Sequence, residues 1–212
     1  PTGNFGDIFA GYLAHKMGLP IEQLVIATNQ NDILHRCISN NDHSIQPLQQ
    51  SLAPSMDIMI SSNFERLLFD LYDQDADQVA QLMTTVKTGS MTLSETALSK
   101  ARQLFSSYRC DDAGMVEEIK ATLEHSNYLL DPHTAIGLAA ARHCSANNNT
   151  PMVTLATAHP AKFPDAVRHA GYPIDPPLPA HMQDLFDRQE QYTVLDNDKQ
   201  AVENFIAENV VS

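Results

Sequence analysis

The chain has 212 residues, of which 43% are hydrophobic and 18% charged, an ordinary composition for a globular protein. A chain of this length is expected to bury roughly 70% of the surface that it exposes when unfolded, so a substantial core can form. Thirteen basic residues stand against 26 acidic ones, and the resulting net charge of -13 disfavours nucleic acids and anionic membranes as partners.

The three cysteines, Cys37, Cys110 and Cys144, lie far apart and form no Cys-x-x-Cys pair. This pattern disfavours both a disulfide framework and a zinc site, and it fits the reducing cytoplasm. No apolar run approaches the ~18 residues typical of a membrane span, and the N-terminus lacks the pattern of a signal peptide. We therefore predict a cytoplasmic protein without a membrane-bound segment.

Apolar residues recur at helical spacing along much of the chain. The pair Asp131-Pro132 is typical of a helix start, because Asp caps the first turn and Pro suits its first position. Helices are predicted over residues 7–17, 33–37, 63–71, 79–86, 94–104, 111–125, 131–141, 164–171 and 199–210.

Three short segments have the composition of strands, namely 23–28, 151–157 and 191–195. The polar stretch 40–54 is predicted to be a loop, and the four prolines within 173–179 predict an extended connector. Because no strand is apparent between about 62 and 105, we interpret that region as a helical insertion in an α/β pattern.

A glycine-containing segment, Thr2-Gly3-Asn4-Phe5-Gly6-Asp7, precedes the first predicted helix. Glycines allow the backbone to approach a ligand closely, and the unpaired amides of a first helical turn can bind a phosphate. The spacing matches neither a dinucleotide motif nor a Walker loop. On its pattern alone, the segment predicts either a phosphate site or an ordinary tight turn.

Thr157 ends the second predicted strand, where ligands often bind in open α/β sheets. Its hydroxyl could pair with a heteroaromatic nitrogen, or the residue could simply finish the strand. Lys162 in the following loop could contact an anion or extend into solvent.

Two common motifs for metal binding and nucleophilic catalysis do not occur in the sequence. It has no H-E-x-x-H and no G-x-S-x-G motif. His125, His133 and His143 fall on different predicted elements, so we expect surface or helix-capping histidines and no metal site.

Five segments together resemble threonine synthase, a pyridoxal-phosphate (PLP) enzyme of fold type II. Their order and spacing extend across most of the chain, which makes the resemblance more specific than any one loop. The segments are PTGNFGD (1–7), ATNQNDIL (27–34), SMDIMISSNFERLLFDL (55–71), DPHTAIG (131–137) and TAHPAKF (157–163).

The resemblance implies a fold and a set of PLP contacts. The chain would form the C-terminal part of the PLP-binding large domain over 1–212, an α/β three-layer open sheet with helices on both faces and the helical insertion at about 62–105. In the family, the threonine of TAHPAKF faces the pyridine nitrogen, which corresponds to Thr157. The residues that correspond to the phosphate-binding loop are Gly3, Asn4, Phe5, Gly6 and Asp7.

The resemblance also implies conversion of O-phospho-L-homoserine and water to L-threonine and phosphate. In this family the Schiff-base lysine precedes the glycine loop, so neither Lys16 nor Lys162 is in a position to take its role. We therefore expect this chain to be the C-terminal portion of a longer enzyme, inactive alone and weak in binding PLP. Exposed sheet edges and apolar faces would then favour dimerisation, altered packing or marginal stability unless another chain supplies the rest.

Two other functions stay open. Another fold type II PLP enzyme, such as a serine or threonine dehydratase, would share the cofactor chemistry but would not explain DPHTAIG and TAHPAKF together. The second alternative is a non-catalytic homologue that binds a phosphate-containing ligand.

Overall fold

The computed structural model describes residues 1–145 and 149–210, and within these residues it contains a sheet of two parallel strands. Strand β1 (Leu24–Thr28) pairs with β2 (Phe105–Arg109) in a register that places Leu24 opposite Phe105 and Thr28 opposite Arg109. Parallel strands need a long connection between them. Here that connection includes four of the helices named below.

The remaining regular structure within the described ranges is helical. Short 3-10 turns occur at Pro54–Met56, Pro160–Lys162, Ala180–Met182 and Leu185–Asp187. The α-helices are α1 (Gly6–Lys16), α2 (Ile33–Asn40), α3 (Phe64–Leu71), α4 (Ala76–Lys87), α5 (Glu95–Leu104), α6 (Asp112–Ser126), α7 (Pro132–Cys144), α8 (Pro164–His169) and α9 (Lys199–Asn209).

Two apolar clusters include neighbouring residues of β1. Ile26 belongs to one cluster and Ala27 to the other, because successive side chains of a strand point to opposite faces. The first cluster takes in residues of α1 to α5, and the second takes in residues of α6, α7 and α8. The fold is therefore a mixture of helix and sheet in which β1 contributes to both cores.

Side-chain caps define where several helices begin. The carboxylate of Asp131 accepts hydrogen bonds from the amides of His133 and Thr134, which confirms the predicted start of α7. Ser94 similarly caps α5 by accepting from the Ala97 amide. Such caps satisfy amide groups that have no partner within the helix.

One strand escaped prediction. Residues 105–109 form β2 although their sequence, Phe-Ser-Ser-Tyr-Arg, is not the apolar run expected of a buried parallel strand. Moreover, β2 follows α5 directly, with no turn residue between the two elements. The helices predicted between 62 and 105 are present as α3, α4 and α5.

Two predicted strands were wrong. Residues 151–157 and 191–195 form no strand in the described structure. The side chain of Val153 is 77% exposed, and the Thr157 amide donates to a side chain rather than to a neighbouring strand. An apolar, β-branched sequence forms a strand only where another backbone pairs with it, and no described strand does so here.

The chain divides into two units, the first over Pro1–Pro176 and the second beginning at Pro177. The division falls within the proline-rich connector predicted at 173–179. In the second unit, α9 forms as predicted, and Asp198 caps it by accepting from the Ala201 amide. Several large apolar side chains of the second unit are exposed, among them Phe186, Tyr192 and Val194.

None of the helices in the described ranges has both the length and the apolar character needed to cross a lipid bilayer.

The core of the first unit predicts that alanine substitutions at two adjacent positions of α3 differ greatly in their cost to stability. Leu68 is fully buried, whereas Phe69 is 41% exposed. Leu68→Ala should lower the free energy of unfolding by about 2–5 kcal/mol, because it removes buried methyl groups and leaves a cavity. Phe69→Ala, the control, should cost less than half as much. Urea denaturation of the three proteins measures both effects, and equal losses would contradict the packing described.

Candidate functional site

The glycine loop, residues 3–7, is held in place by a buried aromatic ring. Phe5 has a positive φ of 66° and its side chain is fully buried. Its ring centroid lies 5.1 Å from that of Phe64 and 5.9 Å from that of Phe105. Phe5 thus ties the loop to α3 and β2, and only its backbone could contact a ligand.

Side chains that precede α3 fix the loop from another direction. The Ser61 hydroxyl donates to the Gly3 carbonyl over 2.7 Å, and Asn4 Oδ1 accepts from the Ser62 amide over 2.6 Å and from its hydroxyl over 2.9 Å. These bonds occupy the amide oxygen of Asn4 and leave its NH₂ group to point elsewhere. The exposed Asn4 side chain can therefore donate to an anion.

The first turn of α1 offers backbone donors. Its cap residue, Phe5, supplies no side-chain hydrogen bond, and Asp7 Oδ1 accepts from the Ile8 amide over 2.7 Å. The other amides of this turn have no partner within the helix and carry the positive end of its dipole. At Asp7 the suitable donor is therefore the amide, since the carboxylate would repel an anion.

The start of α7 contains a buried carboxylate. Asp131 Oδ1 lies 2.9 Å from the His133 amide, 3.0 Å from His133 Nδ1 and 3.3 Å from the Thr134 amide, while the Thr134 hydroxyl donates to Asp131 Oδ2. Burial raises the pKa of the Asp131 carboxyl, but these hydrogen bonds outweigh burial and bring its pKa below the usual range.

His133 is not the surface or merely capping histidine that was expected. It is buried, and its ring centroid lies 4.4 Å from that of Phe163. The Ser55 amide donates to His133 Nε2 over 3.2 Å, which leaves the proton of a neutral ring on Nδ1, facing Asp131. The sequence signal that could have revealed this environment of His133 is the order Asp-Pro-His-Thr, which places His133 two residues after Asp131.

Ser55 connects these two groups of residues. Its amide contacts His133, and its carbonyl lies 2.9 Å from the point that a Cβ atom on Gly3 would occupy. Glycine at position 3 is therefore required by close backbone packing. The glycine loop and the start of α7 thereby both contact a single residue, Ser55.

Thr157 belongs to the same connected set. Its amide donates to Thr134 Oγ1 over 3.3 Å, and its side chain is exposed. The lysines considered from sequence lie elsewhere. Lys16 pairs with Asp70 at 3.2 Å, and Lys162 Nζ lies 5.6 Å from the centre of the Phe163 ring.

A polar cluster that sequence reasoning missed follows the carboxyl end of β1. Asp57 Oδ1 accepts from Asn29 over 2.7 Å, from Asn31 over 2.9 Å and from the Ser51 hydroxyl over 2.6 Å. Asn29 and Asn31 are both buried. The signal that could have revealed them is Asn-x-Asn directly after a strand, the edge of parallel sheets that carries ligands.

A cleft of about 750 Å³ lies beside the glycine loop and β1. It is lined by Pro1, Thr2 and Asp7, by β1 residues, and by the 150–155 segment, whose side chains Val153 and Leu155 are exposed. Among the described residues, no group of three or more His, Cys, Asp or Glu side chains is placed to hold a metal ion.

Comparison with known proteins shows which family this chain is similar to. The family described as "Threonine synthase, C-terminal" matches residues 134–206. A threonine synthase from Pseudomonas aeruginosa is 52% identical over 210 residues, which cover 99% of this chain and 45% of that protein. The chain is homologous to the C-terminal part of threonine synthases. It spans less than half the length of these relatives.

Solved threonine synthase structures share the fold. A PLP-bound threonine synthase from Brucella melitensis is 51% identical, with a TM-score of 0.89, and the match covers 98% of this chain and 45% of that one. For the yeast threonine synthase, the identity is 37% and the TM-score 0.85, over 98% of this chain and 46% of the other.

The close packing at Gly3 predicts that alanine is tolerated less well at Gly3 than at Gly6. Gly3→Ala would place a methyl group 2.9 Å from the Ser55 carbonyl, whereas the nearest neighbour of a methyl group at Gly6 would be Asn63 Nδ2 at 3.4 Å. Gly3→Ala should therefore cost about 1–3 kcal/mol of stability. Gly6→Ala should be nearly neutral in urea denaturation, and equal losses would contradict the geometry of the loop.

The Asp131 carboxylate predicts a pH-dependent stability. Because its pKa is lowered by folding, its contribution is complete above the ordinary value of 3.8 and is lost as the pH falls through the folded-state pKa. Asp131→Asn should lower the free energy of unfolding by about 1–3 kcal/mol at neutral pH, and by progressively less as the pH falls from about 5 to about 3.

Urea denaturation of wild type and variant across that pH range measures the difference. Asp111→Asn is the matched control, because Asp111 also caps a helix, α6, but is exposed. Its effect should be small throughout. A deficit for Asp131→Asn that stays constant down to pH 3 would show that the charge of Asp131 does not stabilise the fold.

Proposed function

We propose that this chain is the C-terminal part of a PLP-dependent threonine synthase, which converts O-phospho-L-homoserine and water to L-threonine and phosphate. The single observation that carries the proposal is the connected set of contacts from the glycine loop through Ser55 and His133 to Thr134 and Thr157. It joins the loop proposed to bind phosphate to the backbone of Thr157, whose hydroxyl is proposed to face the pyridine nitrogen. The similarity to the Brucella melitensis structure, which is described as PLP-bound, supports it.

The donors present fit a phosphorylated aromatic cofactor. Free amides at Gly6 and Asp7, at the start of an 11-residue helix, suit the phosphate, and Asn4 adds a side-chain donor. Phe5 would hold the loop through its buried ring, and Gly3 allows the backbone to pack closely against residue 55. We propose Gly3, Asn4, Phe5, Gly6, Asp7 and Thr157 as the PLP-binding residues of this chain.

When bound, PLP supplies an electron sink for bonds at the substrate carbon atoms. This chain would hold PLP and influence the charge of its ring nitrogen. A neutral Thr157 hydroxyl opposite the ring nitrogen stabilises a protonated nitrogen less than a carboxylate would. The glycine loop would bind the phosphate end of the cofactor and thereby fix the orientation of the cofactor.

The covalent lysine is proposed to come from the remainder of the enzyme. Lys16 is engaged with Asp70, and Lys162 extends over Phe163, so neither contacts the glycine loop. The chain accounts for 45% of the length of the Pseudomonas aeruginosa relative. We infer that the chain alone binds PLP weakly and does not catalyse the reaction.

The finer architecture also belongs to this proposal. The two clusters to which β1 contributes support a three-layer arrangement in which helices cover both faces of a larger open sheet. Helices α3, α4 and α5, inserted between β1 and β2, would be the helical insertion at about 62–105 of a PLP-binding large domain over 1–212. We propose a cytoplasmic location and no nucleic-acid or membrane partner.

A chimera tests the function. The part of the Pseudomonas aeruginosa threonine synthase that precedes the matched region is joined to this chain, and PLP and O-phospho-L-homoserine are added. The chimera should release phosphate and form threonine, because the two parts together restore the length of the relative. The 212-residue chain alone, its direct control, should release none.

The same assay separates the alternatives. A chimera that consumes serine but not O-phospho-L-homoserine would be a dehydratase. One that binds PLP or O-phospho-L-homoserine without releasing phosphate would be a non-catalytic homologue. Phosphate release by this chain alone would contradict the proposal that the covalent lysine lies outside it.

A further inference from the structure

The position of Thr157 depends on a buried pair of side chains at the start of α7. Thr157 is exposed and lies in a segment with no regular secondary structure. Its amide donates to Thr134 Oγ1 over 3.3 Å. No described strand pairs with residues 151–157, so this bond provides the positioning that a strand ladder would otherwise provide.

The direction of the Thr134 hydroxyl is set by charge. A threonine hydroxyl has one hydrogen, and that of Thr134 points at Asp131 Oδ2. The lone pairs of Thr134 Oγ1 are then directed away from Asp131 and can accept the hydrogen of the Thr157 amide. Because a carboxylate accepts hydrogen bonds but cannot donate them, Asp131 allows only this polarity.

Asp131 and Thr134 have little freedom to rearrange. Both are buried, with exposed fractions of 2% and 5%. The other oxygen of Asp131 accepts from the His133 amide and from His133 Nδ1, at 2.9 and 3.0 Å, while the Ser55 amide holds the opposite side of that ring. A rigid, fully bonded support of this kind can hold a functional side chain in one geometry.

We propose that Thr134, oriented by Asp131, is a positioning residue that aligns Thr157 with the aromatic nitrogen of PLP. This inference rests on the proposed function, because it is that function which places the nitrogen opposite Thr157. Thr134 contacts neither cofactor nor substrate in this scheme. Its effect is transmitted through the Thr157 backbone. The affinity for PLP and the absorption of bound PLP therefore depend on a residue that does not itself contact PLP.

Two substitutions of Thr134 separate positioning from simple packing. Thr134→Val keeps the volume but removes both hydrogen bonds, whereas Thr134→Ser keeps the hydroxyl and should restore them. Thr84→Val is the surface control, because Thr84 is exposed and its hydroxyl donates to the Ala80 carbonyl of its own helix. All are introduced into the chimera with the Pseudomonas aeruginosa portion, and PLP is titrated by absorption and fluorescence.

In the Thr134→Val chimera, the absorption maximum of bound PLP should shift. Its dissociation constant should rise roughly fivefold to tenfold, as expected if the hydrogen bond between the Thr157 hydroxyl and PLP is lost. Thr134→Ser and Thr84→Val should match wild type. In the 212-residue chain without PLP, hydrogen exchange at the Thr157 amide should be faster in Thr134→Val than in wild type and unchanged in Thr134→Ser.

The two possible failures are distinct. If the wild-type chimera binds no PLP, the proposed function is wrong, and the inference fails with it even where Thr157 exchange shows that Thr134 holds the backbone. If the wild-type chimera binds PLP and Thr134→Val shows the same spectrum and affinity, the positioning role is overturned while the proposed function stands. A loss in Thr134→Val that Thr134→Ser does not rescue also overturns it, because packing rather than the hydroxyl would then be responsible.

Discussion

The buried Asp131 carboxylate is the interaction on which the geometry of the site depends. A charge taken out of water is costly unless hydrogen bonds replace its hydration, and Asp131 accepts four, from His133 and Thr134. Meeting this requirement starts α7, orients the His133 ring toward Ser55 and directs the Thr134 hydroxyl. The lowered pKa of Asp131 reflects the same bonds, which outweigh the unfavourable burial.

A second constraint acts on the glycine loop. Phe5 combines a positive φ with a completely buried ring, so the packing of the ring must compensate for an unfavourable backbone conformation. Because the ring contacts Phe64 and Phe105, the amides of the loop are oriented by the same core that holds β2. The loop and the start of α7 both contact Ser55, so the two constraints act on the same candidate site.

The predictability of the fold differed between helices and strands. Helix patterns are local, and the Asp131-Pro132 start of α7 followed from residue type alone. Strands need partners distant in sequence. Residues 105–109 form β2 despite two serines because β1 pairs with them, while the apolar segment 151–157 is without a strand partner in the described structure.

The sequence by itself determined most of the helices, the glycine loop and the family resemblance, because these depend on local spacing and residue type. Only the tertiary structure showed that Phe5 lies in the core and that His133 is buried against Asp131. It alone joined Gly3 to Thr157 through Ser55, His133 and Thr134. The direct contacts of this set link residues up to 78 positions apart, as between Ser55 and His133, and no local pattern specifies which residues will share a buried hydrogen-bond network.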